Sequence, residues 1–487
     1  KLSASYTEKL IVQGSDPLEN PSGIITMFGY LNDFPPQPVE RTKTEADQNT
    51  YVVLDHNPGG AKAGFDYGRH FLFQAHEIFS SDVAYITRIN LDITDKAHRI
   101  TLLTPLGSDG QTHMTSLDGS CWNPFTQKLL FTQEAGSNGG VVEIGANFPS
   151  KLKFLYGIMG HGGFEGIHPD DKGNILIIED VGGTSVSVDP SNPSAAVAAK
   201  DPNSFVYRFV PNNPANLSAG GKMQALQVSI DGKPVKFVAV DAAHPTGDVF
   251  STNQLKLHTP GTSYPCRWIT IHNTDTDGTA SFDANALAKS KGATPFKRPE
   301  NAAFQPGTGF QTFFFDPTGD TNADAGNQPA LASRGSWGSI FRVNFPAGSA
   351  NGTISIFVLG GPQHASFDNL TFLDSDTLLA AEDRGDTLHK QLNKLDSVWL
   401  FETTAKNPAG TRIIAVGRDS AALHDVNLTN AGISHQNEGD NEPTGVHVSA
   451  GETTVDGLLG QPFNSDSRFF WTQQHGQNHV FEIIPNQ

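Results

Sequence analysis

His161-Gly-Gly-Phe-Glu-Gly-Ile-His-Pro-Asp-Asp-Lys-Gly-Asn-Ile-Leu-Ile-Ile-Glu-Asp180 is the stretch on which the fold turns. Glu165 stands just before a short apolar segment, a Pro-Asp-Asp-Lys-Gly turn follows, and Asn174 to Ile178 forms a second apolar run that ends on Glu179 and Asp180. Short apolar runs on either side of a turn rich in Pro, Asp and Gly read as a β-hairpin, here with carboxylates at both ends. The arrangement returns along the chain, which makes the hairpin one copy of a repeat.

Working outward, the first copy holds strands at Phe71–Glu77 and Val83–Ile89. The second runs Leu117 to Glu134 around a turn at Asn123–Lys128 and continues with Gly140–Ile144. The opening stretch is the third, closed by Ser204–Pro211, with a surface loop over Ser185–Pro202. Arg298-Pro-Glu-Asn-Ala-Ala-Phe304, Gln311–Asp316 and Gly338–Asn344 form the fourth copy, and Phe367–Phe372, Thr377–Arg384 and Ser397–Phe401 the fifth. Glu442–Val448, Arg468–His475 and Val480–Ile484 form the sixth. Six such units fit an all-β, six-bladed β-propeller whose innermost strands line a central channel. Residues 1–50 read as an irregular entry segment that contributes an outer strand at ring closure, and 51–487 as one propeller domain. The repeat fades over 212–295, which reads as an insertion with strands within Leu226–Val240 and a short helix at Ala284–Ser290.

The bulk composition agrees. Gly 49 and Pro 30 with 17% charged residues suit short strands and tight turns. The balance of 33 Lys+Arg against 51 Asp+Glu, net −18, argues against a nucleic-acid surface. No apolar run approaches the roughly 20 residues of a membrane helix. The chain starts at Lys1, which leaves a removed signal peptide or a chosen boundary equally open. Cys121 and Cys266 are the two cysteines, and the sequence leaves their pairing open.

Glu77, Glu134, Glu165, Glu179, Asp180, Glu300, Asp368, Glu382, Asp383 and Glu442 all stand at the starts or ends of inner strands. A propeller points such positions at one axis, where carboxylates repel unless cations or protons sit between them. Oxygen donors in that number suit Ca²⁺, which takes ~6–8 of them. His76, His161, His475 and Asn369 stand near the same ends as ligands or phosphate-facing donors, and a Cys121 thiolate near the axis would favour a transition metal. Arg298, two residues before Glu300, is placed to clamp a phosphate or carboxylate. No phosphate-binding Gly-x-x-x-x-Gly-Lys-Ser/Thr loop, Gly-x-Ser-x-Gly elbow or His-Glu-x-x-His helix is present, so a nucleophilic serine is not the expected mechanism.

Phe73-Gln-Ala-His-Glu77, Trp122-Asn-Pro-Phe125, Phe131-Thr-Gln-Glu134, Gly163-Phe-Glu-Gly-Ile167, Arg298-Pro-Glu300, Phe367-Asp-Asn369, Glu442-Pro-Thr-Gly445 and Gln474-His-Gly476, in that order, resemble the successive motifs of the PhoX family of bacterial alkaline phosphatases. The resemblance spans about residues 65–484. It implies a cluster of calcium and ferric ions hydrolysing small phosphomonoesters, in proteins exported to the periplasm or beyond. Carried over, Glu134, Glu165 and Glu300 are metal ligands and Arg298 a phosphate contact, with Asp368, Asn369, Asp383 and Glu442 as further ligands. The chain departs from the family at Gln133-Glu134-Ala135, where Cys-Glu-Glu is usual, and at Pro124-Phe125-Thr126, where Pro-Trp-Gly is usual. The family's iron-binding cysteine falls near Cys121 only after a small shift.

The expected activity is therefore metal-dependent phosphomonoester hydrolysis. Glu165, Glu300 and Arg298 carry it, with Glu77, Cys121, Glu134, Glu165, Glu300, Asp368, Asn369, Asp383 and Glu442 as metal ligands and Arg298, His161 and His475 toward the substrate. Ca²⁺ is the expected metal, with Fe³⁺ beside it, in a secreted or periplasmic monomer. A calcium-dependent lactonase or phosphotriesterase type of propeller, and a non-catalytic binding propeller stapled by metals, are the rival readings.

Overall fold

A computed structural model of the chain describes residues 1–23, 25–29, 44–77, 84–104, 114–189, 191–192, 197–406, 408–416, 442–448, 468–474 and 478–486. The alternation that marks a strand sets the packing from the outset. In His70–Glu77, Phe71 and Phe73 join an apolar cluster with Trp122, Leu129 and Phe131, while Leu72 between them joins Tyr51, Ile89 and Phe470 on the opposite side. Successive side chains leave opposite faces of a strand, so each sheet fills a layer on both sides. Each fully buried aromatic contributes roughly 1.5–3 kcal/mol.

The sheets are antiparallel meanders. Glu45–Val53, His70–Glu77, Tyr85–Asn90 and Ile100–Leu102 form one, and Leu117–Asn123, Lys128–Gln133, Gly140–Ile144 and Leu152–Phe154 the next. Phe367–Phe372, Thr377–Glu382, Asp396–Glu402 and Thr411–Val416 form another. Pro443–Val448, Phe469–Gln473 and Val480–Pro485 are completed by the N-terminal strand Tyr6–Val12, which pairs with Val480–Pro485. Two further meanders, starting at Phe164–Pro169 and Pro299–Phe304, belong to one ten-stranded sheet. The strand Tyr264–Asn273 joins them by pairing with Gly221–Ile230 on one side and Asn351–Leu359 on the other. The first strand of each meander packs beside the first strand of the next, and Pro443–Val448 returns to Glu45–Val53. This closed ring of first strands makes the arrangement a β-propeller.

The stretch 212–295, where the repeat fades, supplies Gly221–Ile230 and Tyr264–Asn273 to this framework and lays the helix Ala284–Lys291 against the latter. Asp283 caps that helix by accepting from Ala286 N at 2.8 Å, and Gly292 ends it in the left-handed region at φ +80. The loop expected over Ser185–Pro202 carries a short hairpin, Ser185–Ser187 against Ala198–Lys200. Of the strand expected at Val83–Ile89, Tyr85–Asn90 is formed and Val83 lies outside the described residues. No helix among the described residues is long and apolar enough to cross a membrane.

Candidate metal centre

Each first strand slips register once against its neighbour, at the same place in the repeat. The shifts fall between Ala46 and Asn49, Leu117 and Ser120, Phe164 and Ile167, Pro299 and Ala302, Phe367 and Leu370, and Thr444 and His447. The residue entering the shift is Asp47, Asp118, Glu165, Glu300 and Asp368 in turn, and Gly445 in the sixth. Such a bulge bends the strand and re-aims the side chain it carries. The second strands add a matching set. His76, Gln133, Glu179 and Glu382 lie opposite Ala46, Leu117, Phe164 and Phe367, and the residues after them are Glu77, Glu134, Asp180 and Asp383.

Neighbouring first strands come closest at these bulges. A Cβ on Gly119 would overlap the Glu165 carbonyl oxygen, and one on Gly166 would lie 2.9 Å from Asn301 Cα. At Gly445, φ +63 and a Cβ 2.6 Å from the Asp47 carbonyl oxygen both require glycine.

Two groups of acids result. Asp47, Glu77 and Asp118 form one and Glu165, Asp180 and Glu300 the other, all buried, with one carboxylate oxygen from each within 4.8 Å of the others in its group. Burial, then the neighbouring acids, pushes the Asp118, Glu165 and Glu300 carboxyls well above the usual range. Burial and Asp180 raise Glu134 to about 8, against the pull of Arg298. Asp368 rises to about 6 through burial, although hydrogen bonds with Glu442 and Asn369 pull it down and Asp383 pushes it up. Its charge also helps to raise Asp118, Glu134, Glu165 and Glu300.

Asp118 Oδ1 and Glu165 Oε2 are buried without a hydrogen-bond donor. A carboxylate oxygen accepts only, so a buried one lacking a donor is satisfied by a cation or a proton. Oxygens that are bonded have second partners that orient them. Thr444 Oγ1 donates to Asp47 Oδ1 at 2.6 Å, Gln474 Nε2 to Asp47 Oδ2 at 3.0 Å, and Asn369 Nδ2 to Thr444 Oγ1 at 3.1 Å. All-oxygen donor sets with outer hydrogen bonds of this kind fit hard cations.

Arg298 sits at the edge of the second group, its side chain 26% exposed. It grips Asp180 bidentately, Nε to Oδ1 at 3.1 Å and Nη2 to Oδ2 at 2.6 Å, and lies 3.6 Å from Glu300. Its backbone is in the left-handed region, φ +53. Burial opposes its charge, but Asp180, Glu300 and Glu134 together outweigh it and raise its affinity for the proton.

Several expected residues are placed elsewhere. Cys121 packs among Leu130, Val141 and Met159, its thiol pushed up by burial, and stands in neither acid group. It is free, as is Cys266 in a separate cluster, so the two do not pair. His76 is wholly buried between Thr44 Oγ1 at 3.1 Å and Thr87 Oγ1 at 2.8 Å and stacked on Tyr85, with burial holding its pKa well down. That is a core histidine. Glu179 turns away from Asp180 to Phe205 N, Tyr207 OH and Asn285 Nδ2, and Glu382 pairs with Arg384. Adjacent residues on a strand face opposite ways, which separates Glu179 from Asp180 and Glu382 from Asp383. His161 Nδ1 lies 2.8 Å from the Gly139 carbonyl and its ring packs on Tyr156. His475 lies outside the described residues. Asp47 and Asp118 escaped the sequence reading, although both show the repeat's signal of an acid followed by Gln or Gly at the head of a strand.

The molecule is thus a β-propeller with two groups of buried carboxylates, able to hold metal, where its first strands meet. The profile of the alkaline phosphatase PhoX family matches residues 184–455, and the chain belongs to that family. The Pseudomonas fluorescens PhoX structure, in complex with the transition-state analogue vanadate, overlays with a TM-score of 0.54 at 11% identity, covering 100% of this chain and 96% of that one. A gluconolactonase from Xanthomonas campestris overlays with a TM-score of 0.38 at 11% identity, covering 99% of each chain. No curated protein sequence matches the chain.

Proposed function

We propose that the chain hydrolyses phosphomonoesters at the axial carboxylate centre. The observation that carries this reading is the pair of buried acid groups with donorless oxygens at Asp118 and Glu165, in a chain of the PhoX family. Asp47, Glu77 and Asp118 would hold one cation, and Glu165, Asp180 and Glu300 another, with Glu134, Asp368, Asn369, Asp383 and Glu442 completing the coordination. Calcium fits the hard oxygen donors best; a ferric ion would take the same donors without Cys121. Bound metal supplies charge stabilisation at the phosphoryl oxygens and acidifies water.

The protein's own groups do the rest. Arg298, held by Asp180 and open on one side, orients the phosphate and offsets its charge. Glu165 and Glu300 fix the reacting face. The buried walls exclude water around the charges and so strengthen each contact. The proposed setting is outside the cytoplasm, as the family resemblance implies, with the chain acting as a monomer.

Hydrolysis of p-nitrophenyl phosphate, measured with metal content before and after chelation, tests the reading. Turnover is expected to vanish with the metal and return on reloading, and Arg298→Lys to lower kcat/KM by about tenfold or more through loss of the forked contact. Undiminished turnover by fully demetallated protein would sink it.

A further inference from the structure

Outside the axial centre, the meander that begins at Phe367–Phe372 encloses a cavity of about 260 Å³ walled by Gln363, Arg384, Lys394, Ser397, Trp399 and Arg412. Three of those residues are cationic, in a chain of net charge −18. Glu382 answers Arg384, with Nη2 to Oε1 at 2.6 Å and Nε to Oε2 at 3.3 Å. Lys394 donates to the Pro362 carbonyl at 2.5 Å and to Gln363 Oε1 at 2.9 Å, both neutral acceptors. Arg412 lies over the Trp399 ring with its guanidinium carbon 6.0 Å from the centroid. Among the described residues neither Lys394 nor Arg412 forms an ion pair with a carboxylate, so the cavity carries an uncompensated positive charge. The Lys394 ammonium is held below its ordinary pKa by burial and then by the charges of Arg384 and Arg412, against the pull of Glu382.

Arg384 gives the second observation. It is 1% exposed, and while Nε and Nη2 are bonded, Nη1 is buried with no partner. A guanidinium has five N–H donors in a fixed fork, and leaving a buried one without an acceptor is destabilising. Beside this core arginine two further cations, Lys394 and Arg412, line the cavity without a carboxylate partner among the described residues, an arrangement that an oxyanion completes.

We propose that this cavity binds a tetrahedral oxyanion of the phosphate class, with Lys394 and Arg412 as donors and the Arg384 charge behind them. The site is separate from the axial acids, because Arg384 points away from Asp383 to Glu382 and Gln363. Phosphate could reach it free in solution or as the remote phosphate of a larger substrate; the chemistry is shared.

Equilibrium dialysis with labelled inorganic phosphate on the metal-loaded protein tests binding. The wild-type chain is expected to hold one equivalent more than Lys394→Gln/Arg412→Gln, whose affinity at that site falls by about tenfold or more. Both positions are partly exposed, so the variant should keep the wild-type Tm and its turnover of p-nitrophenyl phosphate. Unchanged stoichiometry and affinity in the variant would overturn the proposal. A second arm compares an alkyl bisphosphate with an alkyl monophosphate as substrates. A KM that rises in the variant for the bisphosphate alone assigns the site to a remote substrate phosphate, and equal KM values together with the lost equivalent assign it to free phosphate. Loss of all phosphatase activity in the wild type would contradict the proposed function yet leave the dialysis result standing.

Discussion

At the scale of single residues, Glu165 and Asp170 show how the same side-chain chemistry does two jobs within one hairpin. Glu165 is buried in the acid group with Oε2 lacking a donor, whereas Asp170 accepts from Lys172 N at 2.8 Å, Asn174 N at 2.9 Å and Asn174 Nδ2 at 2.7 Å. The first keeps an oxygen available to a cation, and the second has its oxygens turned to its own turn. Glu165→Gln should therefore lower bound metal by about one equivalent and abolish most turnover. Asp170→Ala should leave metal content intact and cost about 1 kcal/mol of stability. Metal analysis beside thermal melts separates the two, and equal metal loss in both would refute the assignment. Glu165 was legible in the sequence because it heads its strand. The choice between Glu179 and Asp180 was not, since it depends on where the bulge shifts the alternation, and that shift arises from pairing with a neighbouring strand. Cys121 failed for the same reason: three residues past Asp118 the alternation has carried the side chain into the Leu130 and Val141 layer.

At the scale of elements, the bulge is the device that brings strand-end acids together. It needs backbones in near contact, and Gly119 is the price of that approach at the second strand of the ring. Thr132 Oγ1 donates to the Glu165 carbonyl at 2.5 Å and lies 3.2 Å from the Gly119 carbonyl, pinning the two strands together. Gly119→Ala would force these strands apart and displace Asp118 and Glu165 at once. A loss of about 2–3 kcal/mol is expected, with weaker metal retention, because overpacking moves backbone here rather than a flexible side chain. Gly182→Ala, where a Cβ meets nothing within 4 Å, is the control. Similar melts for the two variants would mean that close approach at Gly119 is not needed. Local hairpins such as Leu117–Asn123 with Lys128–Gln133 were readable from turn residues and apolar runs. Asp47 was hidden in a segment whose Pro-Pro and lack of period masked the strand Glu45–Val53. The pairing of Tyr264–Asn273 with Asn351–Leu359 was hidden too, because no local pattern encodes a partner more than eighty residues away.

At the scale of the whole molecule, a closed ring of first strands concentrates like charges on its axis, so folding and metal binding oppose or support one another together. The terminal strand Tyr6–Val12 is hydrogen-bonded to Val480–Pro485, which ties both chain ends into one sheet and keeps the ring from opening under that repulsion. Without cations the acids hold protons: Glu134 is raised to about 8 and Asp368 to about 6, with Glu165, Glu300 and Asp118 well above their usual values. A carboxyl with a raised folded value binds its proton more tightly folded than unfolded. Its protonated form stabilises the fold at low pH, and that stability is lost as pH rises from about 4.5 through the raised value. Metal-free protein should therefore lose stability steadily between about pH 5 and pH 8. Metal-loaded protein behaves oppositely, since ligands must be deprotonated and protons compete with the cation at low pH. The stability difference between calcium-loaded and demetallated protein, read as a growing gap in Tm, is expected to widen across that range, by roughly 1.4 kcal/mol per pH unit for each proton displaced. Thermal melts of both forms at about pH 5, 6.5 and 8 measure it, and a difference that stays constant or narrows would show that these carboxylates do not hold the metal.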